Sequence, residues 1–363
     1  MTTATTGSSY PPTRRRRRPW PLGRPRPTGV GAQRSRRIGF LVALLVLLAL
    51  AVLASIAVGA KPIPLGSVWD ALWSPTPTED NLVVRTLRLP RTVLGIQVGI
   101  ALGVAGALMQ GHTRNPLAEP GLLGVSAGSA FFVVLGIFAF GVTSLYGYVW
   151  FSFAGAFVAS VAVFLLGSLG RGGPTPVTLA LAGVAVSYLL RGLTSAVVLS
   201  DTATLDAYRF WDVGSLAGRD VAIAGQITPF LLLGLLLAAI NGPGLNVLAL
   251  GEDVARGLGQ NVTLTRWTGL VAITLLTGAA VAACGPIAFV GLVVAHLARF
   301  YTGPDYRWLL PAAGLAGAVL LLVADVVGRV VARPGELPVG IVLAFIGAPF
   351  FVALVRRRTM VRL

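Results

Sequence analysis

The chain has 363 residues, of which 55% are apolar, 45 are glycine and only 12% are charged. That charged share is about half of what an ordinary soluble domain carries, which argues against a water-soluble globular protein. Ten of the 29 basic residues lie in residues 1–37 and four in 356–363, whereas all 13 acids lie between those tails. A nearly neutral middle with strongly basic ends reads as an all-α polytopic membrane protein. The single lysine, Lys61, follows Ala60, so no Gly-x-x-x-x-Gly-Lys loop exists to cradle nucleotide phosphates. Any ATP-driven work would need hydrolysis on another subunit, and the chain itself is not expected to be an enzyme. Cys284 stands alone, which excludes an internal disulfide, and His112 and His296 are too few to ligate a metal without several carboxylates. No cofactor is expected.

In chain order, residues 1–37 are rich in Pro, Gly, Ser, Thr and Arg, with Arg14 to Arg18 unbroken. Such a segment cannot bury enough apolar surface to fold and is expected to be disordered. An arginine run can bind nucleic acid or an import receptor; the reading adopted is a cytoplasmic tail that fixes orientation and touches anionic lipid, with no nucleic-acid partner. Ile38 to Ala60 is a 23-residue stretch without a charge, enough to cross about 30 Å of hydrocarbon. Val58-Gly59-Ala60 resembles a signal-peptide cleavage site, but the apolar stretch far exceeds the roughly 7–15 residues of a signal peptide. It reads as a retained first span.

Further spans are expected at residues 92–110, 122–142, 148–170, 177–199, 223–240, 267–285, 287–298, 308–327 and 340–354. The count is about ten, with the 267–298 stretch divided by Gly285-Pro286. The membrane domain is thus expected over 38–355, followed by a basic tail at 356–363. An even number of spans puts both termini on one side, and the terminal arginines say that side is the cytoplasm. Gly95, Gly99 and Gly103 recur every four residues, and Gly124 with Gly128 repeats the spacing. In lipid such a stripe lets helix backbones approach closely, which is favoured here over glycine lining a substrate path.

Four groups of charges sit awkwardly in this plan. Arg85, Arg88 and Arg91 precede the second span on the side where the orientation rule disfavours arginine, either as interfacial anchors or as a docking patch for an acidic partner. Asp325 and Arg329, four residues apart in the ninth span, can form an ion pair facing the bundle interior. Arg191 interrupts an apolar fifth span, where it should face a watery cavity or pair with an acid. Residues 245–262 form the loop between the sixth and seventh spans, which parity puts in the cytoplasm. There Gly251, Glu252, Asp253, Arg256 and Gly259 outline a short amphipathic helix, with Leu248, Val254 and Leu258 expected to pack and the charges to stay wet.

The stretches Leu87–Thr92, Gly106–Gln110, Thr113–Gly128, Leu181–Ala185, Leu245–Gly259, Gly285–Leu292 and Glu336–Ile341 together resemble the permease subunits of ABC importers for ferric siderophores, haem and cobalamin. The resemblance runs from about residue 40 to the end, closest to the ferric-enterobactin-type branch. It implies a ten-span, multi-pass subunit of the bacterial cytoplasmic membrane, paired with a second copy or a paralogue. It also implies two cytoplasmic ATPase subunits and an extracytoplasmic siderophore-binding protein. Arg88, Arg91 and Arg329 match family arginines that meet acids on the binding protein, and Gly251, Glu252, Asp253, Arg256 and Gly259 match the helix that seats in the ATPase cleft. Residues 172–178 match the gate region, which makes Thr175 and Thr178 candidate gate residues, and Arg191, from its place inside the fifth span, is a candidate residue of an anionic-substrate pathway. One departure is Ala295, where the family usually has proline. An ion-coupled carrier using Asp325 and Arg191 is the alternative class, and a cobalamin or haem permease the alternative within the family.

Overall fold

The structure, a computed structural model, describes residues 30–74, 77–142, 144–169 and 176–356. Among them every regular element is a helix: α1 (Val30–Ala57), α2 (Leu65–Trp73), α3 (Glu79–Leu82), α4 (Leu89–Thr113), α5 (Val125–Phe140), α6 (Leu145–Ser168), α7 (Pro176–Ser200), α8 (Thr202–Asp212), α9 (Val221–Leu248), α10 (Glu252–Gly257), α11 (Val262–Cys284), α12 (Val290–Thr302), α13 (Tyr306–Val331) and α14 (Val339–Arg356). Eight helical stretches are long and apolar enough to cross a membrane. The shorter apolar α5 and α12 stand in series where the third and eighth spans are expected. Much of the apolar surface faces outward, as in Leu53, Phe157 and Phe345, because lipid tails solvate it as well as a protein core would.

Several boundaries differ from the sequence expectation. The first helix begins at Val30, so residues 30–37 are helical rather than part of an unfolded tail; residues 1–29 and 357–363 lie outside the described residues. Arg36 donates to the Tyr301 carbonyl and Arg37 pairs with Asp305, tying these first turns to α12 and α13. The second span is a continuous helical stretch over Glu79–Thr113, so Arg88 and Arg91 lie within it rather than before it. It contains a π-helical turn, Val83–Arg88, which widens the ladder just ahead of Pro90, a residue with no N–H to offer it.

The glycine stripe does what close packing requires. A Cβ on Gly95 would meet the Leu322 side chain, one on Gly99 would lie 2.5 Å from the Ala318 Cα, and one on Gly103 would strike Ala313 and Gly314. Residues 95, 99 and 103 descend α4 as 322, 318 and 314 ascend toward the start of α13, an antiparallel register at backbone contact. Gly128 of α5 meets Gly155 of α6 in the same way, and Gly106 of α4 meets Gly291 of α12.

Between α11 and α12 the backbone leaves helical geometry. Gly285 has φ +76° and Phe289 φ +68°. Non-helical backbone at membrane depth must find partners inside the protein, and here it does. The Cys284 carbonyl accepts from Ser215 N–H at 2.8 Å, and the Phe289 N–H donates to Glu119 Oε1 at 2.5 Å. Ala295, buried in α12, continues an unbroken helix.

Gly99→Leu should overpack the α4–α13 contact at a cost of about 1–3 kcal/mol. The expected outcome is a lower temperature of half-loss of the monodisperse peak in detergent, with Gly39→Leu, where nothing lies within 4 Å, unchanged.

Candidate functional site

Three regions gather the polar groups of an otherwise apolar bundle. The first is at the end bearing α2 and α3. Asp325 is fully buried on α13 and accepts from Arg91 Nη2 at 2.7 Å and Nε at 3.0 Å, and from Arg329 Nη2 at 2.7 Å. Arg91 also reaches Glu336 at 2.6 Å, ahead of α14. Arg329 donates to the Ser55 and Val58 carbonyls at the end of α1, at 2.8 and 3.1 Å. Arg88 donates to the carbonyls of Ile56, Ala57 and Lys61. The α1 terminus has orphan carbonyls to satisfy, and these two arginines cap it.

The Asp325–Arg329 pair expected from four-residue spacing is present. The three arginines assigned to docking by resemblance are 5%, 8% and 1% exposed for Arg88, Arg91 and Arg329. Their guanidiniums point into the protein and carry internal partners. Arg85, by contrast, is exposed, and so are Arg333 and Glu336. On the same rim Lys61 bridges Glu79 at 2.9 Å and Asp80 at 3.0 Å. Hydrogen bonds to Glu79 and then Asp80 hold its ammonium above the ordinary lysine range.

The second region is a cavity of about 860 Å³ between α4, α5, α7, α8 and the 286–291 segment. One face of α7 lines it, with Val184, Ser187, Tyr188, Arg191, Thr194, Ser195 and Val198 recurring every three or four residues as a single helical face requires. Arg191 therefore faces a cavity, the first of the two situations expected for it. Glu119, Tyr208 and Asp212 lie on other walls. The Tyr208 hydroxyl donates to Asp212 at 2.9 Å, and burial, followed by the Asp212 charge, pushes its proton affinity well above the ordinary tyrosine range. Thr178 lies in the first turn of α7, half-buried, and Thr175 lies outside the described residues. Sequence reasoning did not single out Glu119. The available signal was a carboxylate before Pro120 in the uncharged run after Arg114.

The third region is α10, at the opposite end of the bundle. The loop is shorter than expected because α9 runs on through Leu248, leaving residues 249–261 between spans. Gly251 has φ +113° and Gly259 φ +79°, conformations that favour glycine. Leu248 packs, but Val254 and Leu258 are 50% and 65% exposed, contrary to expectation; Ala255 is the residue α10 buries. A helix of six residues turns only one short stripe inward, and Ala255 occupies it. Nor is Glu252 simply solvated, since it pairs with Arg266 of α11 and, at 3.7 Å, with Arg256. Asp253 and Arg256 are exposed as expected.

The α9 end beside α10 is wired into the bundle. Arg114 donates to the Leu248 carbonyl at 2.8 Å, Asn246 donates to Asp305 at 2.8 Å and accepts from Tyr306 N–H at 2.9 Å. One turn deeper, Asn241 meets His112 at 3.0 Å and donates to the Thr265 carbonyl and to Thr268. No cluster of metal-ligating side chains occurs among the described residues.

A membrane bundle with a charged rim, a polar cavity and a protruding helix defines a class of transport subunit. The chain belongs to the FecCD transport family, whose model matches residues 47–357. It is 48% identical to the ferric enterobactin transport system permease protein FepD of Escherichia coli (strain K12), over 87% of this chain and 94% of that one. It is 44% identical to the iron(3+)-hydroxamate import system permease protein FhuB of Bacillus subtilis (strain 168), covering 87% and 83% of the two chains. Among solved structures, a metal-chelate type ABC transporter in an inward-facing conformation superposes with a TM-score of 0.77 at 31% identity, over 88% of this chain and 99% of that one. The chain is accordingly a multi-pass permease of the cytoplasmic membrane.

Asp325→Asn should leave two buried guanidiniums short of a counter-charge and cost about 3–5 kcal/mol, read as a large drop in thermal midpoint. Glu336→Gln, at the exposed rim, should cost about 0–1 kcal/mol. Equal small shifts for both would remove Asp325 from its central place.

Proposed function

We propose that this chain is the membrane-spanning subunit of an ABC importer that moves a ferric siderophore into the cytoplasm, with ATP hydrolysed on separate subunits. The observation that carries this reading is α10. It is a glycine-bracketed helix whose exposed Val254 and Leu258 lie beside exposed Asp253 and Arg256, while Glu252 clamps its base to α11. Apolar side chains within a charged surround are what a groove on a water-soluble partner can bury. The identity to a ferric enterobactin permease supports iron chelate as cargo.

In this reading both termini are cytoplasmic and α10 faces the cytoplasm. Two ATPase subunits seat the α10 helices of a permease pair formed with a second copy or a paralogue. A binding protein docks at the opposite rim. There Arg88, Arg91 and Arg329 fix the shape of the docking surface from within, and Arg85 and Arg333 offer the exposed charge. ATP-driven closure of the ATPases shifts α10, and the bundle responds by changing which side of the cavity is open. No substrate bond is broken by this chain. Thr175 and Thr178 are assigned to the gate by resemblance to the family, and Arg191 to the pathway from its place inside the fifth span.

A strain lacking this gene should lose uptake of radiolabelled iron from at least one of a panel of siderophores, and proteoliposomes should carry that chelate only with ATPase subunits and ATP. Transport by the chain alone would favour an ion-coupled carrier. Val254→Asp with Leu258→Asp should reduce binding-protein-stimulated ATP turnover at least tenfold without changing the thermal midpoint, because neither side chain is buried. Full stimulation in that variant would remove α10 from the coupling path.

A further inference from the structure

The cavity beside α7 has three acidic or basic side chains on its walls, and their partners differ. Asp212 accepts from the Tyr208 hydroxyl at 2.9 Å, and Glu119 accepts from the Phe289 N–H at 2.5 Å. Arg191 makes no hydrogen bond or ion pair with any described residue, although its charge is felt at Tyr208. It sits in the middle third of a 25-residue apolar helix, where an unmatched guanidinium is costly unless water or a passing counter-charge reaches it. Ser187 and Ser195, one turn to either side, line the same cavity face, so the charge is flanked by hydroxyls that can donate to the same guest. The volume of about 860 Å³ falls within the roughly 300–1,000 Å³ of small-molecule sites.

We infer that Arg191, with Ser187 and Ser195, is an anion-recognition stripe that selects ferric chelates of net negative charge over neutral ones during translocation. The physical basis is differential. Asp212 and Glu119 put carboxylates on the other walls, so Arg191 makes the exposed α7 face the cationic side of the cavity; a charge there lowers the energy of an anion bound against it and does little for a neutral guest of the same size. The stripe binds weakly because a single charge flanked by hydroxyls is no closed cage, which suits a residue that cargo must leave. This assignment rests on the importer reading and narrows its cargo to polyanionic complexes.

The test uses the complete complex, with its ATPase and binding-protein partners, in proteoliposomes. Two iron-55 probes are delivered at saturating binding protein: a ferric tris-catecholate, which is polyanionic, and a neutral ferric trihydroxamate. Each variant is scored as the ratio of its uptake to wild type for the same probe, which cancels the selectivity of the binding protein. Arg191→Gln should cut tris-catecholate uptake at least tenfold and trihydroxamate uptake less than twofold. Arg191→Lys, which keeps the charge, should stay within threefold of wild type for both and guards against a folding defect. Equal losses for both probes in Arg191→Gln, or no loss for the tris-catecholate, would overturn the assignment while leaving the importer reading intact. Failure of the wild-type complex to move either probe with ATP would overturn both.

Discussion

A single buried carboxylate, that of Asp325, holds one end of this bundle together. Two guanidiniums, one from α4 and one from α13 itself, converge on it, and each then reaches outward to a third element: Arg91 to Glu336 and Arg329 to the carbonyls ending α1. In hydrocarbon an arginine without such partners would be expelled, so charge satisfaction decides which helices can be neighbours here. It also fixes how they slide. With Arg91 opposite Asp325, the next turns of α4 place Gly95, Gly99 and Gly103 against Leu322, Ala318 and Gly314. The ion pair sets the register and the glycines let the backbones close on it. Neither would suffice alone, because small residues permit many registers and a lone ion pair at one end leaves the far end free.

The sequence made much of this legible, and the parts it hid have physical reasons. The eight long apolar helices, the small-residue contacts and the Asp325–Arg329 pair follow from hydropathy and from helical spacing, which are local properties. What could not be read was direction. Arg88 and Arg91 lie in a span whose nearest acids in sequence, Glu79 and Asp80, pair with Lys61 instead, and the residues that turn the two arginines inward come from positions 56, 57, 61, 325 and 336. A docking role and a capping role require the same residue type at the same position; only tertiary proximity separates an outward arginine from a buried one. The reverse happened at α10. There an amphipathic pattern suggested that Val254 and Leu258 pack, but helical periodicity marks an apolar face without saying whose surface covers it. Glu119 was invisible for another reason, since its partner is a backbone N–H 170 residues away, which no side-chain pattern encodes.

The wiring of the α9 terminus bears on how a push at α10 could travel. Asn246 and Asn241 between them tie α9 to α13, α4 and α11, and Arg114 ties the loop after α4 to the Leu248 carbonyl. Glu252 adds a direct link from α10 to α11 through Arg266. Force applied to the exposed side of α10 therefore enters four spans, α9, α4, α11 and α13, together rather than bending one. That favours rigid-body tilting of the bundle over local unwinding, because each linked helix would have to break buried hydrogen bonds to move independently.

Where the bundle can yield is set by the same logic in reverse. The 285–289 segment is held by the Ser215–Cys284 bond, by Glu119 on the Phe289 N–H and by the packing of Phe289 against Gly347 of α14. It has no helical ladder of its own, so its conformation depends on these three other parts of the chain. Glu119 in turn belongs to the loop that Arg114 begins, the residue bonded to the end of α9. The end of α9 is thus joined, through a loop of six residues, to the carboxylate that holds the cavity wall formed by Pro286, Ile287 and Ala288. The non-helical wall has no ladder of its own to resist a change of shape, and Glu119 and Arg114 join it to the end of α9 beside α10.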